Sequence, residues 1–194
     1  MYHDPIKLIV IMISSAMLIS AGASAEQIRG HFAGSSFSTA VDSNDDGMTA
    51  NDAETKGKSS LLGKFTTKAR VEALPWDLAS FCSLTEIRFD NLAHPTVFTA
   101  ANGDLFYGVQ SDDPATYTCF NIVDFVSLRG VTYLDIAGGT GRFAGAYGHI
   151  TITWSGENIV NSSGLSLGAI FAGDIDGEII GSALGKDDDD GDSD

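Results

Sequence analysis

The residues best suited to chemistry in this sequence are oxygen ligands in a short acidic loop. Asp42, Asn44 and Asp46 alternate along the loop and are followed by a glycine. Oxygen ligands at alternate positions suit a hard cation such as calcium, and glycine permits the sharp turn of such a loop. The twelfth loop position is Ala53 rather than a glutamate, so the neighbouring Asp52 is the fourth candidate ligand. The alternative is a solvent-exposed turn, because Asp, Asn and Gly favour turns without any metal.

Two cysteines, Cys82 and Cys119, form the second candidate group. An even number of cysteines in an exported chain is most simply read as a disulfide. Two free, buried cysteines are the second interpretation. A catalytic thiol is the third, and it would need a histidine nearby. The spacing pairs neither His94 nor His149 with either cysteine.

A glycine-rich segment carries the third candidate motif, which consists of Gly138, Gly139, Gly141, Phe143 and Gly145. Gly139, Gly141 and Ala144 fit the G-x-G-x-x-A spacing of a dinucleotide site. That fingerprint must open a helix. The glycines that follow it disfavour a helix, and the residues beyond them alternate as in a strand. We therefore interpret the segment as a tight turn between two strands. No catalytic residue is assigned, and the sequence favours a protein that is not an enzyme.

The two ends of the chain differ in character from the middle. Residues 1–25 are predicted to be a cleavable signal peptide, with an apolar run at 8–19 and an Ala-Ser-Ala cleavage site, so the expected location is periplasmic or extracellular. Residues 186–194 are predicted to be a disordered acidic tail. The net charge of −15 argues against nucleic acid and against anionic membranes as partners of the mature chain.

The middle of the chain is predicted to be a single all-β domain, residues 26–185, with no amphipathic helix. Gly is abundant, Pro is scarce, and short alternating segments are separated by turn residues. This pattern is typical of a sandwich or a closed barrel. The predicted strands are residues 28–41, 62–73, 84–92, 96–100, 104–110, 116–127, 131–137, 147–155 and 165–180, with a turn at Asn102-Gly103 and a junction at Arg129-Gly130. In the last strand Asp174, Asp176 and Glu178 share one face, either solvated outside or clustered in a barrel mouth.

Residues 131–148 resemble a segment of the allene oxide cyclase and dirigent-like proteins. In both, a strand runs into a Gly-Gly-x-Gly turn, then an aromatic residue, then a glycine that begins the next strand. The resemblance implies a closed antiparallel barrel of about eight strands around an apolar cavity, with Phe143 plugging one end. Residues 37–65 also resemble a group of uncharacterised secreted bacterial barrel proteins, which share the Asp-x-Asn-x-Asp-Gly turn and a Gly-Lys-Phe strand start.

Two functions fit this reading. The first is a structural module or a binding module that takes a small apolar ligand, with no cofactor other than the calcium suggested above. The second is a cyclase- or dirigent-type isomerase that steers a reactive intermediate by the shape of its cavity. The sequence gives no indication of oligomeric state. The residues expected to line or fill the barrel are Phe106, Phe120, Phe125, Tyr133, Ile150, Ile152 and Trp154.

Overall fold

Strands make up most of the described chain. The computed structural model describes residues 24–39, 41–42, 49–74, 80–112, 115–163 and 166–181. The strands are β1 (Ser24–Ser38), β2 (Ala50–Ser59), β3 (Gly63–Ala73), β4 (Phe81–Ser83), β5 (Glu86–Ala93), β6 (Thr96–Thr99), β7 (Leu105–Gln110), β8 (Tyr117–Asn121), β9 (Ser127–Gly139), β10 (Tyr147–Val160) and β11 (Ser166–Gly181). Within these residues the single helical element is a 3₁₀ turn, Gly141–Phe143.

The strands close into an antiparallel ring. β1 pairs with β2 and with β11, β2 pairs with β3, and β10 pairs with β9 and with β11. β5 and β6 together occupy the position next to β3. β7 and β8 together occupy the position between that pair and β9. Counting each shared position once gives eight strand positions, so the prediction of a closed antiparallel barrel of about eight strands is confirmed.

Alternation along each strand separates an inner face from an outer face. In β11, Ile175 and Ile179 are buried inside the ring, while Asp174 and Asp176 are exposed. Arg29 on β1 donates from Nε to Asp176 Oδ2 at 3.1 Å. The acidic row of β11 therefore lies on the solvated outer face, which was the first of the two interpretations.

An apolar plug fills one half of the barrel. Phe98, Phe106 and Phe143 are fully buried, with ring centroids 5.1 Å apart for the first two and 5.5 Å for the last two. Around these rings pack the buried side chains of Ile28, Leu62, Leu134, Ile150 and Ile179. Fully burying a side chain of this size stabilises the fold by about 1.5–3 kcal/mol. Phe143, which the sequence places at the barrel end, is thus a fully buried member of this plug.

The glycine-rich segment closes this end of the barrel as a turn. Gly138, Gly141 and Gly145 have φ angles of +95°, +55° and +71°, which favour glycine. At Gly139 the constraint is space, because a Cβ atom there would lie 2.1 Å from the Leu105 carbonyl oxygen. β10 begins shortly after the 3₁₀ turn. The segment is therefore a strand connection rather than the start of a dinucleotide-binding helix.

Besides the bounds of individual strands, three details of the strand prediction are wrong, and the first is that it lacks the short strand β4. No strand was predicted for the residues that form β2, whose inner face carries small side chains such as Ala53 and Thr55 in place of large apolar ones. The expected junction at Arg129-Gly130 lies inside β9, and the turn instead spans residues 122–126. The valines and the phenylalanine of this turn are residue types that favour strands, so their sequence alone does not indicate a turn. The side-chain oxygens of Asn121 and Asp124 accept hydrogen bonds from backbone N–H groups of the turn, and these bonds impose it.

Candidate functional site

The half of the barrel away from the glycine turn is hollow. Its cavity has a volume of about 710 Å³ and none of its lining residues belongs to the turn at 138–147. Ser38, Thr49 and Ser166 line the cavity at strand ends and are exposed, so within the described chain the cavity reaches solvent there. We call this end the mouth. The mouth is also where β1 connects to β2 and β10 connects to β11.

A row of small side chains makes the space. Ala169, Ser36, Ala53 and Ala69 are consecutive register partners across β11, β1, β2 and β3, and all four line the cavity. We call them the small-residue row. One step towards the plug, Thr55 and Thr67 occupy facing positions, and their hydroxyl oxygens are 2.6 Å apart in a hydrogen bond. Large side chains at these positions would fill the barrel, as they do in the plug.

Aromatic rings on β10, β11 and β1 form the adjoining part of the wall. The Trp154 and Phe171 ring centroids are 5.8 Å apart, and Phe32 meets Phe171 edge-on at 6.3 Å. The indole of Trp154 lies over Gly130, its register partner on β9, where a Cβ atom would lie 2.5 Å from Trp154 Cζ2. The glycine at this position allows the indole to lie flat in the wall.

One amide is held deep in the wall. Asn91 on β5 is only 5% exposed, and its Nδ2 donates to Thr118 Oγ1 at 2.8 Å. Its backbone is held by Gln110, whose Nε2 donates to the Asn91 carbonyl at 3.0 Å and whose Oε1 accepts from the N–H of Ala93. Gln110 thereby replaces strand pairing where β7 ends. No described residue donates a hydrogen bond to Asn91 Oδ1.

Two further amides lie at the mouth. Asn51 Oδ1 accepts from Ser38 Oγ at 3.0 Å, and Asn158 Oδ1 accepts from Ser166 Oγ at 2.6 Å. These bonds fix the orientation of both side chains. Apart from the indole N–H of Trp154, the polar side-chain groups of the described lining are hydroxyls and amides of Ser, Thr and Asn, and none of the described lining residues is Asp, Glu, Lys, Arg or His.

The β8–β9 turn forms an apolar edge beside the mouth. Phe125 has a φ angle of +56° and is largely exposed, while its ring meets that of Phe120, a lining residue, at 6.2 Å. Asp124 Oδ2 accepts from Ser127 Oγ at 2.6 Å, and this bond, together with backbone N–H bonds, lowers the pKa of Asp124. The turn is joined to β10 through Asn158 N–H and the Val126 carbonyl at 2.8 Å.

The chain is similar to a solved dirigent protein structure. The structure of the pterocarpan synthase dirigent protein GePTS1 is 12% identical and has a TM-score of 0.37, covering 90% of this chain and 97% of that one. No protein-family profile and no curated protein matches the chain. The resemblance to secreted bacterial barrel proteins is not supported by these comparisons.

The cysteine prediction is confirmed. Cys82 and Cys119 form a disulfide that joins β4 to β8, with Cα atoms 6.0 Å apart and a sequence separation of 37. Both joined strands pair with β5, the strand that carries Asn91. The disulfide therefore fixes the part of the barrel wall that holds the deep amide.

The calcium hypothesis stays a prediction. Asn44 and Asp46 lie outside the described residues. Asp52 lies on β2, and Arg70 donates to both of its carboxylate oxygens, at 2.7 and 3.0 Å. The bonds from Arg70 lower the pKa of Asp52. In the part of the chain that the structure describes, no group of three or more His, Cys, Asp or Glu side chains could hold a metal ion.

The seven residues expected to line or fill the barrel divide into four groups. Phe120, Ile152 and Trp154 line the cavity, whereas Phe106 and Ile150 belong to the plug. Phe125 lies on the exposed turn. Tyr133 lines a shallow groove of about 280 Å³ together with Asp135 and His149 instead of the cavity. The alternation of apolar and polar residues in the sequence identified the inward-facing side chains of β10. It did not show which half of the barrel is hollow.

Sequence reasoning missed Asn91 and Ser166. Asn91 lies in a predicted strand whose alternation is poor, and a single inward amide has no sequence signature. Ser166 is the centre of a Gly-x-Ser-x-Gly spacing, residues 164–168, so the expectation that the sequence lacks this spacing is wrong. In a hydrolase that spacing is a strand-to-helix elbow. Here Ser166 begins a strand and donates to Asn158, so the elbow context is absent.

The signal peptide and the acidic tail lie outside the described residues, apart from Ser24 and Ala25, which begin β1. No helix among the described residues is long and apolar enough to cross a membrane.

Proposed function

We propose that this protein is an exported barrel that holds one small, largely apolar molecule without changing it chemically. The observation that carries the proposal is the cavity of about 710 Å³ in the half of the barrel away from the plug. Binding sites for small molecules have volumes of roughly 300–1,000 Å³ and are mostly apolar, with a few orienting polar groups. The aromatic wall supplies the apolar surface, and Asn91 supplies an orienting group.

The composition of the cavity favours holding a molecule over converting it. Acid–base chemistry needs a group whose pKa lies near the working pH. Among the described lining residues there is no carboxylate, imidazole or amine. The side chains present are rings, aliphatic groups, hydroxyls and amides, which bind and orient a ligand without accepting its proton.

Features outside the cavity support two further parts of the proposal, namely export and a relation to the allene oxide cyclase- and dirigent-like barrels. The disulfide suits an oxidising compartment outside the cytoplasm. The glycine turn and the eight strand positions agree with what the sequence resemblance implies. The acidic surface argues against nucleic acid or an anionic membrane as partner.

A cyclase- or dirigent-type isomerisation is the second candidate. The observation that favours it is the presence of buried polar side chains, namely Asn91, Thr55, Thr67 and Thr96, in the cavity lining. Such groups could orient a reactive intermediate, and shape alone can then decide which product forms. The two candidates differ in whether the molecule leaves the barrel altered.

Titration of the full chain with Nile red, a neutral dye that fluoresces in apolar surroundings, tests the cavity. We expect Ala69→Phe, which fills the small-residue row, to weaken binding at least about tenfold, equal to about 1.4 kcal/mol. Ala172→Phe, on the outer face of β11, is the matched control and should leave the dissociation constant unchanged. Equal affinities for all three folded proteins would show that the dye binds elsewhere.

Native mass spectrometry of protein purified without detergent separates the two candidate functions. The proposal expects a bound molecule that is recovered unchanged after incubation with fresh protein. Recovery of an isomer would favour the enzyme. Fully folded protein that carries no molecule and does not bind the dye would exclude both.

A further inference from the structure

We propose that the cavity selects an electrically neutral molecule that carries a hydroxyl group, and that it rejects carboxylates and amines of the same shape. This inference rests on the proposed function, because it names the class of ligand that the cavity would hold. Two features of the described lining carry it. One is the complete lack of charged side chains, and the other is the acceptor atom of Asn91.

Two pairs of oppositely charged residues beside the cavity are turned away from it. Asp52 and Arg70 are sequence neighbours of the cavity-lining Ala53 and Ala69, and they bond to each other on the outer face. Arg129, beside the cavity-facing Gly130 and Trp154, likewise bonds to Glu86 through Nε at 2.9 Å and Nη2 at 2.8 Å. An ion entering the cavity would leave water without meeting a counter-charge, which is strongly unfavourable.

Because the net charge is −15, comparing a positively charged ligand with a negatively charged one shows which effect decides selection. The field of the whole protein repels anions and attracts cations. If that field decided selection, an amine would bind better than a neutral analogue. If loss of hydration in an uncharged cavity decides, the amine and the carboxylate both bind worse than the neutral molecule. Our inference is the second case.

Asn91 specifies a hydrogen-bond donor on the ligand. Its Nδ2 is committed to Thr118, whereas no described residue donates to its Oδ1. The side chain is 5% exposed and lies in the cavity wall, and its Oδ1 is not one of the fully buried atoms that lack a partner in the described chain, so this acceptor is open to the cavity. A ligand hydroxyl is neutral and can donate to this oxygen. An ether or a plain hydrocarbon cannot.

Four pyrene probes of nearly equal size test the inference: 1-pyrenemethanol, 1-methylpyrene, 1-pyrenecarboxylate and 1-pyrenemethylamine. Dissociation constants are measured by fluorescence titration of the full chain at neutral pH, at low and high salt. We expect the carboxylate and the amine each to bind at least about tenfold more weakly than the alcohol. Because salt screens the field of the whole protein, the deficit of the amine should persist at high salt.

Substitutions at Asn91 test the hydroxyl directly. Asn91→Leu should weaken the alcohol about fivefold, the value of one net hydrogen bond, and leave 1-methylpyrene unaffected. Comparing the two probes in one variant cancels their different solubilities. Asn91→Asp should move the preference towards the amine. Ser155→Asp adds the same charge on the exposed outer face of β10 and should not change the order of affinities.

The outcomes separate this inference from the proposed function. If no probe binds to folded protein, the cavity is not a binding site and the proposed function fails. If the neutral probes bind but the charged probes bind equally well, or if Asn91→Leu weakens both neutral probes alike, the proposed function stands and the selectivity inferred here is wrong. If Asn91→Asp does not fold, the wild-type charge series and Asn91→Leu still decide.

Discussion

Gly130 and Trp154 offer a quantitative test of how the cavity wall is built. A Cβ atom at Gly130 would lie 2.5 Å from Trp154 Cζ2, 2.6 Å from Cε2 and 2.7 Å from the Tyr117 carbonyl oxygen. Carbon atoms in contact prefer separations of about 3.5–4.0 Å, so Gly130→Ala creates an overlap of about 1 Å with the indole. Overpacking of this kind costs about 1–3 kcal/mol.

The indole has one direction in which to yield, because the cavity lies beside it. Gly130→Ala should therefore push the Trp154 ring inward, reduce the cavity and weaken the binding of Nile red. Trp154→Leu removes the ring, so Gly130→Ala should cost less in that background, by a coupling free energy of about 1 kcal/mol. The contact with the Tyr117 carbonyl remains in the double variant, so the rescue should be partial.

Urea unfolding followed by far-ultraviolet circular dichroism measures all four proteins of this double-mutant cycle. The control cycle combines Gly130→Ala with Phe143→Leu at the opposite end of the barrel, where the two effects should add to within about 0.3–0.5 kcal/mol. Additive effects of Gly130→Ala and Trp154→Leu would mean that the indole does not lie on the glycine, and our account of the wall would be wrong.

Three further predictions concern the frame around the cavity. Reducing the Cys82–Cys119 disulfide, which closes a loop of 37 residues, should lower the free energy of unfolding by about 4 kcal/mol in the chain-entropy model; an unchanged urea midpoint in reductant would contradict this. The hydrogen bond from Arg129, followed by one from Ser83, lowers the pKa of Glu86 in the folded state. Its contribution to stability should therefore be complete above the unfolded pKa of about 4.3 and be lost as pH falls through the lower folded value. The stability difference between wild type and Glu86→Gln should accordingly shrink below about pH 4, and a difference that stays constant with pH would refute the assignment. Phe143→Ala should cost about 3–5 kcal/mol because the ring is fully buried, while the affinity for Nile red is retained; a large loss of affinity in folded protein would show that the plug and the cavity are not separate.

The closed end of the barrel could be predicted from the sequence because its constraints are local. The glycines at 138, 141 and 145 adopt positive φ angles that other residues avoid, so their type reports the turn directly. Phe143 is the last residue of the 3₁₀ turn that begins at Gly141, and this short spacing places its ring in the plug. The Asn102-Gly103 turn between β6 and β7 is confirmed for the same reason, with a φ angle of +89° at Gly103.

The site could not be predicted, because its residues act through partners that are distant in sequence. Asn91 interrupts the apolar alternation of β5, which made that strand look irregular. The inward position of Asn91 is explained by its hydrogen bonds to Thr118 and Gln110. Similarly, the turn at 122–126 is made by two polar side chains among residues that favour strands. Hydrophobic periodicity detects neither feature.

The barrel has a solid half and a hollow half because the pairing register of the strands aligns small inner residues in one half and large ones in the other. The inner residues of β2 are small, which removed the signal for the strand itself and left no strand predicted there. Placed in register, Ala169, Ser36, Ala53 and Ala69 form a continuous row across four strands, which makes room for the cavity. Nearer the plug, Phe65 lies over Gly57 on the same two strands β3 and β2, and a large ring above a glycine fills the barrel. A strand that periodicity fails to detect can therefore be the strand that makes the cavity. In a barrel of this kind, we expect a missing strand between two clear ones to mark the wall of a binding site.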